Sequence, residues 1–335
     1  MIHKFRVNED MDYVDTNVVP WSPLSQYSMS EDSHGYFRIL TQSWSPKFAT
    51  HLFILDDDLD LKWALQNIEP DEEFKSSRYI WDKLYLVTFE RTDPLFVIDL
   101  ADPSDPEIIW ELKIPGFSTY LHPYAPTKEG KQYLIGLWQD TEENQWWGIV
   151  TAGIKLDLYE VDYNEVDSRW QVSISQLYTK TWWERNSTTE ALYNPRMFVW
   201  DQNRKLVVLP MILSEQSDGM NCVIEYDANG VEVFKDCRDI ERYTTTFAWL
   251  KAIQIDVDTG IEEQYSYDFV DLLKQDKQVY ESWDGSIYPW QFSQLNFRVW
   301  YLGDVLYTLN NLFGHFTIMD TDQEVYLPLS DDVDL

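Results

Sequence analysis

The residues of this sequence that could do chemistry are spread thin. The five histidines, His3, His34, His51, His122 and His315, show no metal-ligand spacing such as His-x-x-x-His, which argues against a zinc site. Gly-x-Ser-x-Gly, a phosphate-cradling glycine loop and Cys-x-x-Cys are all missing, so the familiar nucleophile and nucleotide signatures are absent. No catalytic residue is assigned. His122, in Tyr120-Leu121-His122-Pro123-Tyr124 at the start of a strand, is the weak candidate for a general base, with a hydrogen-bonded structural histidine as the competing reading. Asp256, Asp258 and Glu262 have the opening Asp-x-Asp-x-Gly rhythm of a calcium loop, since hard oxygen ligands suit a hard cation, but they lack full EF-hand spacing. Similar acids at 56–58 and 320–322 favour solvated turns, so no cofactor is expected and calcium is the minor option. Paired carboxylates for glycoside hydrolysis are compatible with so many acids, but a sequence does not give their separation.

Tryptophan is the more distinctive signal, with 16 in the chain. Trp81, Trp138, Trp200 and Trp300 fall inside strand patterns and read as core. Trp44, Trp146, Trp147, Trp182, Trp183, Trp283 and Trp290 fall in connections. An exposed indole offers a flat apolar face and an N–H donor, which marks these seven, with Tyr120 and Tyr124, as a candidate binding surface. The competing reading is that long loops fold back and bury their own aromatics.

The elements that must carry these residues are short strands. Leu84 to Phe89, Leu95 to Leu100, a Pro- and Asp-rich turn, and Ile108 to Ile114 form the clearest copy of a phrase that recurs along the chain. With an approach strand before each copy, the unit is a four-stranded antiparallel blade, and its repetition predicts an all-β β-propeller. The expected organisation is a single domain over 1–335, with a half blade at 1–20 and blades at 21–75, 76–116, 117–180, 190–270 and 295–330. A hairpin at 214–240 reads as inserted, and the one helical expectation is a turn at 270–278. The first copy lacks its two inner strands, so ring closure calls for upstream blades, a neighbouring chain, or contact between the first and last blades.

The two cysteines bracket Asn229-Gly230, the strongest short hairpin signal because a type I′ turn needs positive φ at both central residues. That turn sets Cys222 opposite Cys237, within disulfide reach, and a disulfide points to an oxidising compartment. The sequon Asn186-Ser187-Thr188 agrees with that location.

With 58 acidic residues against 26 Lys and Arg, the formal charge is −32, which repels nucleic acid and anionic membrane surfaces. There is no apolar run long enough for a transmembrane helix and no signal peptide in this sequence, and 44% hydrophobic content excludes disorder.

The stretch from Tyr85 to Leu100, with Glu111 to Ser118 and Tyr120 to Tyr124, closely resembles the secreted prokaryotic proteins with a C-terminal β-propeller distantly related to WD40 repeats. Support continues in Glu190 to Tyr193, Asn203 to Pro210 and Tyr301 to Thr308. The resemblance implies an extracellular or cell-surface location and additional propeller sequence upstream, and it transfers no catalytic residue. Where the family has Asp-His-Lys, this chain has Asn194-Pro195-Arg196. The expected function is a non-enzymatic binding or assembly module for a protein or polysaccharide. The alternatives are an extracellular polymer-acting hydrolase or lyase with an axial carboxylate and His122, and a structural subunit of a surface array or filament.

Overall fold

The computed structural model describes the chain apart from residues 8, 46, 90–92, 115–116, 129–130, 145–147, 167–168, 183–186, 227–231, 271–297, 312, 320, 322 and 329–335. The expected helical turn at 270–278, the sequon residue Asn186 and the Asn229-Gly230 turn lie largely or wholly outside the described residues.

Strands β1 (Ile2–Val7) and β2 (Met11–Asn17) form a two-stranded antiparallel sheet. Three four-stranded antiparallel sheets follow in chain order. They are β3 (Met29–Glu31), β4 (Phe37–Ser43), β5 (Ala49–Leu55) and β6 (Leu61–Ile68); β7 (Glu73–Ile80), β8 (Lys83–Phe89), β9 (Asp93–Asp99) and β10 (Glu107–Ile114); and β11 (Phe117–Lys128), β12 (Lys131–Asn144), β13 (Gly148–Val166) and β14 (Arg169–Trp182). A five-stranded sheet holds β15 (Thr188–Thr189), β16 (Val199–Asp201), β17 (Leu206–Tyr226), β18 (Glu232–Asp256) and β19 (Gly260–Asp268). The last sheet is β20 (Arg298–Leu302), β21 (Val305–Leu309), β22 (Phe313–Ile318) and β23 (Gln323–Pro328). This is the expected all-β plan of four-stranded antiparallel blades with a two-strand start.

The chain divides into two compact units, Met1–Ile149 with Lys155–Thr179, and Val150–Ile154 with Lys180–Leu335. In the first, Leu40, Leu52, Ile54, Leu84, Leu86, Phe96 and Ile98 form one buried cluster between neighbouring sheets. Tyr85, Val87, Leu95, Val97, Leu121, Leu134, Trp138 and Tyr159 form the next. Each fully buried aliphatic or aromatic side chain is worth about 1.5–3 kcal/mol, so these inter-sheet layers hold the unit together.

The acidic turns have a consistent construction. Asp56 Oδ1 accepts from the amides of Asp58 and Asp60 at 3.1 and 2.8 Å, while Oδ2 lies 2.6 Å from Lys62 Nζ. Asp256 repeats this with the amides of Asp258 and Thr259 and the ammonium of Lys205. Aspartate is used because its short side chain satisfies its own turn's amides. Five residues before each such aspartate the third strand carries a buried polar residue, His51, Asp157, Lys251 or His315; Pro94 takes the place in the remaining sheet. Each polar residue has its own partners. Asp157 accepts from Tyr159 and Gln176, Lys251 donates to Glu263 and Ser266, and His315 meets Thr308 and Thr317.

The 214–240 hairpin, read as inserted, extends the sheet's central pair, with β17 and β18 reaching 21 and 25 residues and a register shift at Leu213/Ser214 where the extension begins. One expectation needs correction. Trp81 and Trp300 are not core. Trp81 occupies the two-residue β7–β8 turn and is 70% exposed, and Trp300 is 40% exposed, because strand pattern alone does not tell a buried face from an open one.

Cys222 does pair with Cys237, directly across the β17–β18 ladder. Reduction is expected to leave the sheets intact and to cost at most about 3 kcal/mol, the chain-entropy value for a 15-residue loop. Intact mass with and without reductant, paired with urea melts, checks both; global unfolding on reduction alone would contradict it.

Candidate functional site

Residues at or just ahead of the first strands of three successive sheets meet in the first unit. Just ahead of β3, Gln26–Ser28 form a single 3-10 turn where a strand was expected. Ser25 Oγ accepts from the Tyr27 amide and Ser28 Oγ from the Ser25 amide, both at 3.2 Å, a reciprocal cap that fixes the turn. Ser77 Oγ of β7 donates to the Tyr27 carbonyl at 3.0 Å, fastening the turn to the next sheet. The Arg78 guanidinium then lies 5.1 Å over the Tyr27 ring, and the Tyr120 ring of β11 meets Tyr27 edge-on at 5.8 Å. The Tyr120 hydroxyl is 3.1 Å from His122 Nδ1.

The electrostatics follow from this packing. Burial, aided by the Arg78 charge, lowers the His122 pKa to about 3, so the imidazole is neutral at pH 7. Burial raises Tyr120 to about 12, with Arg78 opposing. A general base works best with a pKa near the operating pH, and a value near 3 makes His122 a weak one. Arg78 itself is half-buried, and no carboxylate among the described residues pairs with it. The cluster therefore offers a cation, hydroxyl groups and aromatic rings. Tyr27 and Arg78 were not singled out from sequence. The available signal was that both fall on segments expected to be first strands, the positions that face one another between blades.

Other expected site residues lie elsewhere. Tyr124 is buried, packed edge-on against Tyr133 at 6.0 Å, and presents no open ring. Trp44 is 58% exposed in the β4–β5 connection. Exposed Trp21 and Phe48 share that end of the sheet, with Trp21 stacked on His51 at 3.9 Å. Trp182, expected in a connection, ends β14; it is buried, and its Nε1 donates to Glu263 at 3.0 Å. Trp146, Trp147, Trp183, Trp283 and Trp290 lie outside the described residues. At the calcium candidate, both Asp256 oxygens are occupied, by Lys205 and by turn amides, and Lys205 holds the Asp256 pKa low. Glu262 stands opposite Gln254 on the exposed side of the β18–β19 hairpin. No group of three or more His, Cys, Asp or Glu among the described residues is arranged for a metal. No helix among them is long and apolar enough to cross a membrane.

Repeated antiparallel four-stranded sheets, with first strands that meet in a polar and aromatic cluster, define a repeat β protein of the propeller class. The chain belongs to the beta propeller domain family, whose model matches residues 1–319. An uncharacterized protein of Methanocaldococcus jannaschii is 30% identical over 235 residues, covering 69% of this chain and 33% of the relative. An uncharacterized protein of Archaeoglobus fulgidus is 28% identical over 220 residues, 64% and 31% of the two chains. The chain thus spans about a third of the length of these relatives. Among solved structures, a tryptophan-to-alanine mutant of Synechocystis apocarotenoid oxygenase aligns with 98% of this chain and 65% of its own, at 9% identity and a TM-score of 0.39, too slight a likeness to bear on activity.

Proposed function

We propose that the chain is a non-enzymatic binding module of an extracellular or cell-surface protein, and that it holds its polysaccharide or protein partner through an anionic group at Tyr27, Arg78, Tyr120 and His122. One observation carries this reading: in a chain with 58 acidic residues, the half-buried Arg78 pairs with no carboxylate among the described residues. A guanidinium stacked on a tyrosine and flanked by a neutral histidine is prepared for a carboxylate that the protein itself does not supply. The disulfide supports the extracellular assignment. The depressed His122 pKa weighs against the hydrolase or lyase alternative. Assembly with a neighbouring chain is served by the exposed Phe5, Val7, Met11 and Tyr13 of the two-stranded sheet.

The test compares trigalacturonate with its fully methyl-esterified form, which keeps the shape and removes the charge. The acid is expected to bind at least tenfold more tightly, about 1.4 kcal/mol or more. Arg78→Gln is expected to abolish that preference and Arg78→Lys to restore part of it. Equal binding of acid and ester, or an unaltered Arg78→Gln variant, contradicts the reading.

A further inference from the structure

A second site stands on different residues of the first unit. A cavity of about 520 Å³ opens between the β3–β4 and β7–β8 hairpins, well inside the roughly 300–1,000 Å³ range of small-ligand sites. Arg38 of β4, 3% exposed, lines it. Its Nη1 donates to the Trp81 carbonyl at 3.1 Å, its guanidinium lies 5.6 Å over the Tyr79 ring, and Asp32 Oδ2 is 4.0 Å from Nη2. Its Nε has no hydrogen-bond partner, an unmet buried donor on a charged group. Trp81 also lines the cavity. Its φ is +53°, in the left-handed region that a bulky residue adopts only under constraint, and the resulting turn leaves the indole 70% exposed.

The lining selects a class of ligand. An anion would meet Glu31, Asp32 and Asp82, and a cation would meet Arg38. A neutral polyol suits both kinds of group, because each hydroxyl accepts from a guanidinium N–H and donates to a carboxylate. The exposed indole supplies the flat apolar surface on which the C–H face of a sugar ring rests. We infer that this cavity binds one neutral sugar unit, laid on Trp81 and hydrogen-bonded to Arg38 and the neighbouring aspartates.

Binding of cellotriose, maltotriose, mannotriose and chitotriose, measured by calorimetry and by protein-observed NMR, tests the inference. At least one is expected to bind, to be weakened tenfold or more by Trp81→Asn, and to be weakened by Arg38→Lys. Asparagine tolerates the left-handed turn, so the first variant removes the indole while keeping the backbone. Arg78→Gln is expected to leave this binding unchanged, which separates the two sites. Failure of all four sugars to bind below about 10 mM overturns the inference, as does binding that Trp81→Asn leaves intact. Tighter binding of trigalacturonate through Trp81 would also overturn it, by showing that the cavity reads charge.

Discussion

Trp138→Ala is expected to lower stability by about 3–5 kcal/mol, the range for removing a large buried aromatic. Trp138 on β12 is fully buried in the cluster that joins the β7–β10 and β11–β14 sheets. Its indole lies against Tyr159, with ring centroids 6.1 Å apart, and Lys155 Nζ sits 5.2 Å over the ring. Gly136 makes the fit possible. It lies two residues along the same strand face, where a Cβ would run into the Trp138 indole. Truncation therefore removes the packing and the aromatic seat of a buried lysine together, and close-packed surroundings collapse only partly into the space. Urea titration should show a lower midpoint with an unchanged m-value. Trp138→Phe should lose less than half as much. A change below 1 kcal/mol for the alanine variant would mean that this inter-sheet layer contributes far less than its burial implies.

Acidification from pH 6.5 to 4 should destabilise the protein through its buried histidines. His315 is fully buried among Tyr267, Phe269 and Tyr326, and burial lowers its pKa to about 4. His122 falls to about 3, and His51 is also lowered by burial. His51 Nδ1 accepts from the Asn67 amide at 3.2 Å, an acceptor role that a protonated ring cannot fill. Above pH 6.5 these rings are neutral in both folded and unfolded chains, so they add no pH dependence. Below it the unfolded chain takes up the protons first, so stability falls with falling pH, by up to about 1.4 kcal/mol per unit for each histidine. For His315 the loss ends near pH 4 and totals on the order of 3 kcal/mol. Asp56, Asp102 and Asp256 have lowered pKa values, through Lys62, Ser104 and Lys205 respectively, and their contribution is lost in a separate window below about pH 4. Urea midpoints between pH 7.5 and 4 check this, with His315→Gln expected to flatten the upper window. A wild-type profile that is level from pH 6.5 to 4.5 would contradict it.

The sheets were legible because short strands rich in β-branched and aromatic residues recur between turn signals, and at Asp56, Asp102 and Asp256 the turn has a physical reason for its aspartate. The cysteine pairing was legible because the sequence signal at Asn229-Gly230 predicts which positions face each other, and Cys222 faces Cys237 in the ladder. What escaped was whatever depends on the meeting of sheets. Arg78 lies over Tyr27, 51 positions away in sequence, and nothing in either strand's own period announces the contact. Trp81 misled for a related reason: a turn of two residues ends the strand one position before the indole. Trp182 misled because β14 runs longer than its pattern suggested.

The buried polar residue on the third strand differs in nearly every sheet, and this works as an address. A chain built of near-copies risks joining the second strand of one copy to the third strand of another. Apolar alternation cannot prevent that, because it is the same in all of them. A strand carrying Asp157 that docked in the place of His315 would leave Gln176 behind and set its buried carboxylate against that of Glu324, which lies 3.5 Å from His315 Nε2. Stranding that charge costs several kcal/mol. His51 has Ser43 and Asn67, and Asp157 has Tyr159 and Gln176. A misplacement that exchanges unlike residues thus leaves an unmatched buried group, so copies alike in outline are kept in order during folding by a position at which most of them disagree.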